Sequence, residues 1–593
     1  QQGNFTAGGF LDIKNLFYSS AAFPQPLENG NMKVQVENSG GIADNTSVDI
    51  TAGHIEVGKD PVDFNLQLRH PMSSVDFTGA AKGRFTLNHI KQFVTLDPGT
   101  SISGILNADL GFSGNKTAID KKEYDKIIIN GTAGLNNLNY VSKDYPTGLS
   151  ITNSALSFQQ KNVTLNNLAG NYLNTNFSAN GTFNNLVGYA MQDQPLAGTL
   201  NVTADKMNLN DWMGTDTTTT TTSAAASADP FAVPANMNLT INAKAGKVKY
   251  DKVDYTNITG TLLLKDETVK LQNVKTEALD GTIVFDGSYS TKNNKKDPAI
   301  SMTYEVKNID VQKAFFSFNT IQKLMPVGQF LAGKLNSQLT MNGNLDGNMM
   351  PDLSTLNGKG NLLLIEGILK KFAPLEKIAS TLQIDELKSI SIKDVKNYIE
   401  FAKGKVLVKP FSVKVKDIEM LIGGMHGFDQ SIDYVVQMKV PRKYLGNEGN
   451  NILNNLVTQA VNKGIPVKLG ETVDLSFKMG GTLANPILRT ELKEVAGDAV
   501  KEMQQLAVDF AKAKLDTAKQ TIKDSLTGVK NQVLNDLKKE ALDRMSGNKD
   551  SVKTNPADSS KKKSEQTIRN TINTLFNKKK KPVPASCGGI IAE

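Results

Sequence analysis

The sequence predicts a mainly β protein: an elongated, repetitive antiparallel β-sheet curled into a hydrophobic groove, with short helices and a long C-terminal amphipathic helix. Three observations carry this reading. Most of the first 490 residues alternate apolar and polar side chains with period two, as in a sheet covered on one face only. A short β phrase recurs, as YLNTNFSANGTFN (172–184), ALDGTIVFDGSYS (278–290) and EMLIGGMHGFDQS (419–431). The first 300 residues also hold too little helical pattern to cover so much sheet.

Residues 1–214 read as a repetitive β region. In NFSANGTF, Phe177, Ala179 and Phe183 share one face, opposite Ser178, Asn180 and Thr182. The longer phrases 149–184 and 258–290 align as strand, turn, strand, turn, strand, Gly-centred turn, strand, and a third copy starts near Glu400. Between the copies stands a second phrase: a strand, an Asn or Asp step suited to a helix N-cap, and a short helix. It occurs as GGFLDIKNLFYS (8–19), GRFTLNHIKQFV (83–94), DKMNLNDWMG (205–214) and EVKNIDVQKAFFSF (305–318). Blocks that repeat in this way pack mainly on their neighbours, as in solenoids.

TDTTTTTTSAAASADP (215–230) is a low-complexity loop. Residues 231–490 return to strands, with short helices expected at 372–383 and 449–464. In this region Val406 and Val408 match in face, then Phe411, Val413 and Val415 match after a Pro break. Residues 491–545 carry an amphipathic helical pattern beginning with Val495, Val500, Met503 and Leu506. Residues 546–593 form a polar, basic tail expected to be disordered.

A chain of 593 residues is too long for one ordinary core unless it is repetitive. Its net charge is +8, but Ser551–Glu593 holds nine Lys/Arg against three Asp/Glu, a net +6. The body is therefore near neutral, which argues against a nucleic-acid partner. Cys587 is the only cysteine, so no intramolecular disulfide forms. PVPASC around it lies at the wrong end for a lipoprotein box. No run of 18 apolar residues is present, and the chain starts inside a strand pattern without Met. The expectation is that an N-terminal segment is missing, together with whatever targets or anchors the protein.

Chemistry-bearing motifs are scarce. The histidines His54, His70, His89 and His426 show no metal-ligand spacing and read as surface or strand residues. No nucleophile elbow, P-loop or dinucleotide fingerprint appears. IGGMHG (422–427) reads as a tight β turn. The carboxylate pairs Asp385/Glu386 and Asp429/Asp433 carry no catalytic geometry that a sequence can place. A single Trp212 argues against a sugar platform, and the Asn-x-Ser/Thr sites read as turns and solvent-facing residues. No catalytic residue, cofactor or metal is predicted.

The stretch from about Pro230 to Pro441 resembles the AsmA family of bacterial envelope proteins, in its C-terminal AsmA-like region. The resemblance rests on phrases kept in order: VPANMNLTINAKAGKVKYDKVDYTNITGTLLLKDETVKLQNVKTEALDGTIVFDGSYS, LNGKGNLLLIEGILKKFAPLEKIASTL and FAKGKVLVKPFSVKVKDIEMLIGGMHGFDQSIDYVVQMKVP. Weaker copies reach back to the start, and the Asn-rich style resembles a Bacteroidota member truncated at its N-terminus. The resemblance implies a bridge-like lipid-transfer protein. It would be anchored in the inner membrane by a missing N-terminal helix, with a β groove in the periplasm and a role in outer-membrane biogenesis and lipid homeostasis. The family implies no catalytic residues.

Candidate groove-lining residues are Phe177, Phe183, Leu263, Ile283, Phe285, Val406, Val408 and Ile422. The expected partner is a phospholipid or other acyl-chain lipid, and an envelope protein could dock on the C-terminal helix and tail. Two alternatives stand beside this reading: a β scaffold assisting outer-membrane protein assembly, and a β-solenoid carbohydrate-active enzyme. Period two leaves both sheet faces open as the inner one. An ordinary core, with the oily face buried under helices or a second sheet, also fits the pattern.

Overall fold

A computed structural model describes residues 6–20, 23–92, 96–143, 145–212, 230–347, 349–467, 470–492, 501 and 503–514. Residues 1–514 form one compact unit, described here, and 515–593 lie outside the described residues.

The sheet begins with β1 (Thr6–Ser20), β2 (Phe23–Ser39), β3 (Thr46–Val57), β4 (Asp60–Arg69), β5 (Asp76–Thr86), β6 (Ser101–Asn115), β7 (Ile128–Val141) and β8 (Leu149–Gln159). It continues through β9 (Asn162–Tyr172), β10 (Thr175–Asn184), β11 (Leu196–Asn208), β12 (Met237–Tyr250), β13 (Val253–Lys265), β14 (Thr268–Ala278), β15 (Gly281–Ser290) and β16 (Ala299–Asp310). It ends with β17 (Leu331–Asn344), β18 (Asn357–Lys370), β19 (Ser389–Ala402), β20 (Lys405–Val415), β21 (Ile418–Gly427), β22 (Ile432–Pro441), β23 (Thr472–Gly481) and β24 (Pro486–Leu492). Among the described residues each strand hydrogen-bonds only to its sequence neighbours, so spatial order follows chain order. All pairs are antiparallel but one: β11 and β12 run parallel, with Leu196 opposite Met237. The sheet is mostly antiparallel and not closed.

Parallel neighbours need a long crossover. After 13-residue β11 the chain must return roughly 40 Å to the start of β12. Residues 209–236 connect the two strands, and the Thr/Ala-rich segment 215–230 lies within them; residues 213–229 are outside the described residues.

The alternation has a simple outcome. Paired residues share a face, and the apolar positions of successive strands fall opposite one another. One row runs Phe85–Leu106–Leu135, then past Ser154 to Leu168–Ala179–Val202–Ala243. Another runs Phe285–Tyr304–Leu339–Gly360–Ile399–Val408–Gly424–Tyr434–Met479. The other face is polar. There Asn201 Nδ2 donates to Asn180 at 2.9 Å, Asn242 Nδ2 to Asn201 at 3.1 Å, and Thr261 Oγ1 to Asn242 at 3.1 Å, a ladder over β10–β13.

Helices α1 (Lys116–Asp120) and α2 (Leu186–Gln192) lie at one rim, where β6 and β10 end. The opposite rim carries α3 (Leu209–Trp212), α4 (Val311–Ser317), α5 (Asn319–Leu324), α6 (Ala373–Leu382) and α7 (Asn447–Asn462). Asp310 caps α4 as its sequence predicts, its side chain accepting from the Lys313 amide at 2.7 Å. Among the described residues, every cluster of mutually packed buried apolar side chains lies at or beyond Val306. The largest joins α6 and α7 to β19–β23 through Ile378, Leu382, Leu453, Met438 and Phe477. A helical stretch at 503–514 packs on the other face, where Phe510 meets Leu407 and Met503 meets Val435. Residues 491–492 close β24, and 493–500, 502 and 515–545 of the expected long helix lie outside the described residues.

Four expectations are corrected. GGFLDIKNLFYS contains no helix: it lies within β1, where Asn15 takes a positive φ of 53° at a register shift. IGGMHG is the second half of β21 and not a turn. The phrases 149–184 and 258–290 hold three strands each, because Gly181 and Gly287 lie mid-strand. Three of their four turns are instead two-residue loops with both φ positive, Leu173–Asn174, Asp266–Glu267 and Leu279–Asp280, and in the fourth, Gln160–Lys161, Gln160 alone has positive φ.

Candidate functional site

Seven of the eight candidate lining residues share the apolar face. On β10, Phe177 stands opposite Gly170 and Ala204, and Phe183 opposite Val163 and Gly198. On β15, Ile283 faces Val306 and Phe285 faces Val274 and Tyr304. Ile422 lies between Phe411 and Val436. Leu263 falls on the other face, between Thr240 and Lys270, because the apolar positions of β13 are its neighbours Leu262 and Leu264. Val406 is 0% exposed in a packed cluster with Phe401 and Leu356, so it belongs to a core and lines nothing open.

The face changes character along the sheet. Phe177, Phe183, Ile283 and Phe285 are half-buried, and Ile283 packs against the cluster to which α4 contributes Val311 and Ala314. Beyond β18 the same face is covered by α6 and α7, and Val436, Met438 and Leu475 are buried. Composition left open whether the stripe is covered by a core or free. It is covered by helices at the C-terminal end, and before it half-exposed rings alternate with buried residues such as Ile151, Val163 and Val274.

Glycines shape the half-exposed part. Gly53 faces Phe64, Gly79 faces Phe112, Gly114 faces Phe77, and Gly170 faces Phe177. In each pair a ring carbon sits 2.5–3.0 Å from where a glycine Cβ would be. The rings therefore lie down across the partner strand, which only glycine permits.

An apolar cavity of about 240 Å³ opens on this face at β17–β23, beneath α5 and α6. Among the described residues its only polar lining side chains are Asn397, His426 and Tyr434. His426 Nε2 lies 3.2 Å from the Leu324 carbonyl, which can only accept, so Nε2 carries the proton and Nδ1 accepts from the Tyr434 hydroxyl at 2.9 Å. Burial pushes the His426 pKa down to about 4 and the Tyr434 phenol up. A neutral histidine thus ties the end of α5 to β21 and β22, and Lys323 Nζ adds a bond to the Phe428 carbonyl at 2.9 Å. A broader open depression over β1–β6 is lined by charges of both signs, such as Lys82 and Asp109 at 3.1 Å, and reads as a solvated face.

No family model matches the chain, and no curated protein is significantly similar to it.

Among the described residues no group of three or more His, Cys, Asp or Glu could hold a metal, and no helix is long and apolar enough to cross a membrane. The cavity was not read from the sequence, yet it left a signal. Asn397 sits at an apolar-phase position between Val395 and Ile399, and His426 shares the phase of Ile422.

Proposed function

We propose that the protein is a non-enzymatic envelope protein that binds phospholipid acyl chains on its apolar face. It conducts them along the sheet between inner and outer membrane, supporting outer-membrane biogenesis and lipid homeostasis. In this reading it works in the periplasm and is anchored in the inner membrane. One observation carries the reading: an apolar face continuous in register from strand to strand, on which Phe177, Phe183 and Phe285 stay half-exposed beside buried partners such as Val163 and Val274. Each buried methylene contributes about 0.8 kcal/mol, so a chain lying on the face gains by contact length and needs no special residue. Neighbouring positions then differ little in energy, and the chain can slide. The AsmA-like phrases between Pro230 and Pro441 point the same way.

Photo-crosslinkers placed at Phe183 and Phe285 in cells test this, with Leu263 on the opposite face as the control. Lipid adducts are expected at the first two and not at the third. Protein adducts alone, or equal lipid labelling at all three, would sink the reading.

A further inference from the structure

The sheet forks at β19 and β20. These strands pair only from Ile399–Val408 to Ala402–Lys405, although they are 14 and 11 residues long. The ladder stops beside Pro410, which has no N–H to give and sits in the register shift that β20 makes against β21 between Val408 and Phe411. Beyond the last pair the strands part, and the apolar cavity lies between them, with Ile392 and Val395 on one prong and Phe411 and Val413 on the other. Asn397 stands in the crotch, where an unbroken register would set it against Pro410. Its Oδ1 is buried without a hydrogen-bond partner among the described residues. An orphaned buried acceptor is costly, and its place in an apolar cavity calls for a donor that comes and goes.

We propose that the fork is a terminal binding site for one hydrocarbon chain whose uncharged head, a hydroxyl or undissociated carboxyl, hydrogen-bonds the Asn397 amide. The proposal rests on the reading that the apolar face takes acyl chains. Volume argues for one chain: about 240 Å³ is below the roughly 300 Å³ at which pockets for larger ligands begin. It still exceeds the ~150 Å³ of a dry cavity that admits benzene. Charge argues for a neutral head, because among the described residues no Lys, Arg, Asp or Glu lines the cavity and an unpaired buried charge is prohibitive. A hydroxyl or carboxyl both donates and accepts, so it satisfies the amide in either orientation.

The test uses the full chain and two diazirine-tagged probes with the same ten-carbon chain, an alcohol and its methyl ether, with adducts mapped by peptide mass spectrometry. The alcohol is expected to label β19–β21 peptides about tenfold more than the ether, the preference that one hydrogen bond confers. Asn397→Leu should level the two, and the cavity-filling Ile422→Trp should abolish both. Equal labelling by the two probes in the wild type overturns the proposal, and that comparison stands even if a variant fails to fold. A preference that survives in folded Asn397→Leu overturns it too. Adducts confined to peptides before β16 remove this site while leaving the acyl-chain reading intact, whereas no adducts anywhere remove both.

Discussion

A phenylalanine ring lying over a glycine is the smallest unit of this face. Gly53 shows it most simply, because the three atoms nearest to a Cβ there all belong to the Phe64 ring, at 2.5–2.8 Å. Gly53→Val should force the ring upright and cost about 1–3 kcal/mol, read as a lower denaturation midpoint. The sequence shows phenylalanines and glycines in plenty, but their pairing lies between strands, so no glycine could be matched to its ring. His426 offers a second measurement. Its pKa falls from 6.5 to about 4 on folding. Between those values the unfolded chain binds a proton that the folded chain refuses. Stability should therefore drop as pH falls through that window, by on the order of 3 kcal/mol at most. The advantage of wild type over His426→Phe in thermal unfolding should narrow from pH 6.5 to 4; a gap that widens would contradict the buried neutral histidine.

At the scale of elements, period two made the strands legible, and capping chemistry made α3 and α4 legible. Asp310→Ala should fray α4 and cost about 1 kcal/mol, visible as faster amide exchange over 311–317. The same Asn/Asp signal failed at 8–19 because a positive-φ Asn15 can be absorbed as an irregularity within a strand. Turns failed for the opposite reason. Asp266 and Glu267 both take positive φ, which non-glycine residues adopt at a cost of about 1 kcal/mol or more each. Replacing the pair with Asn-Gly should stabilise the β13–β14 hairpin by about 1 kcal/mol in denaturant melts. The fork was half legible: Pro410 announced a break, but a break in pairing and a bend in one strand look alike in sequence.

At the scale of the sheet, 24 strands spaced by about 4.8 Å extend on the order of 110 Å along the hydrogen-bonding direction. Over that distance the decisive property is continuity. Phe285→Asp should interrupt the face and reduce co-purifying lipid several-fold, while Leu263→Asp, on the polar face, should leave it unchanged by lipid mass spectrometry. An equal loss in both variants would mean that lipid does not follow the apolar face. Neighbour-to-neighbour pairing was readable from the repeats, because short polar turns leave successive strands no other partner. The one parallel pair was not, since a low-complexity segment gives its length but not where it leads.

That parallel pair acts like a frameshift. Up to β11 the odd-numbered strands end at the rim bearing α3, and from β12 onward the even-numbered ones do, so α4, α6 and α7, which follow β16, β18 and β22, arrive on the same side as α3. Removing the crossover and joining β11 to β12 as a hairpin would leave every strand's own pattern untouched, yet send the later helices to the far side. Insertions of strands in pairs would be silent in this sense, and insertions of single strands would not. The fold can therefore lengthen by twos, and the Thr/Ala-rich segment marks the one place where it counts by one.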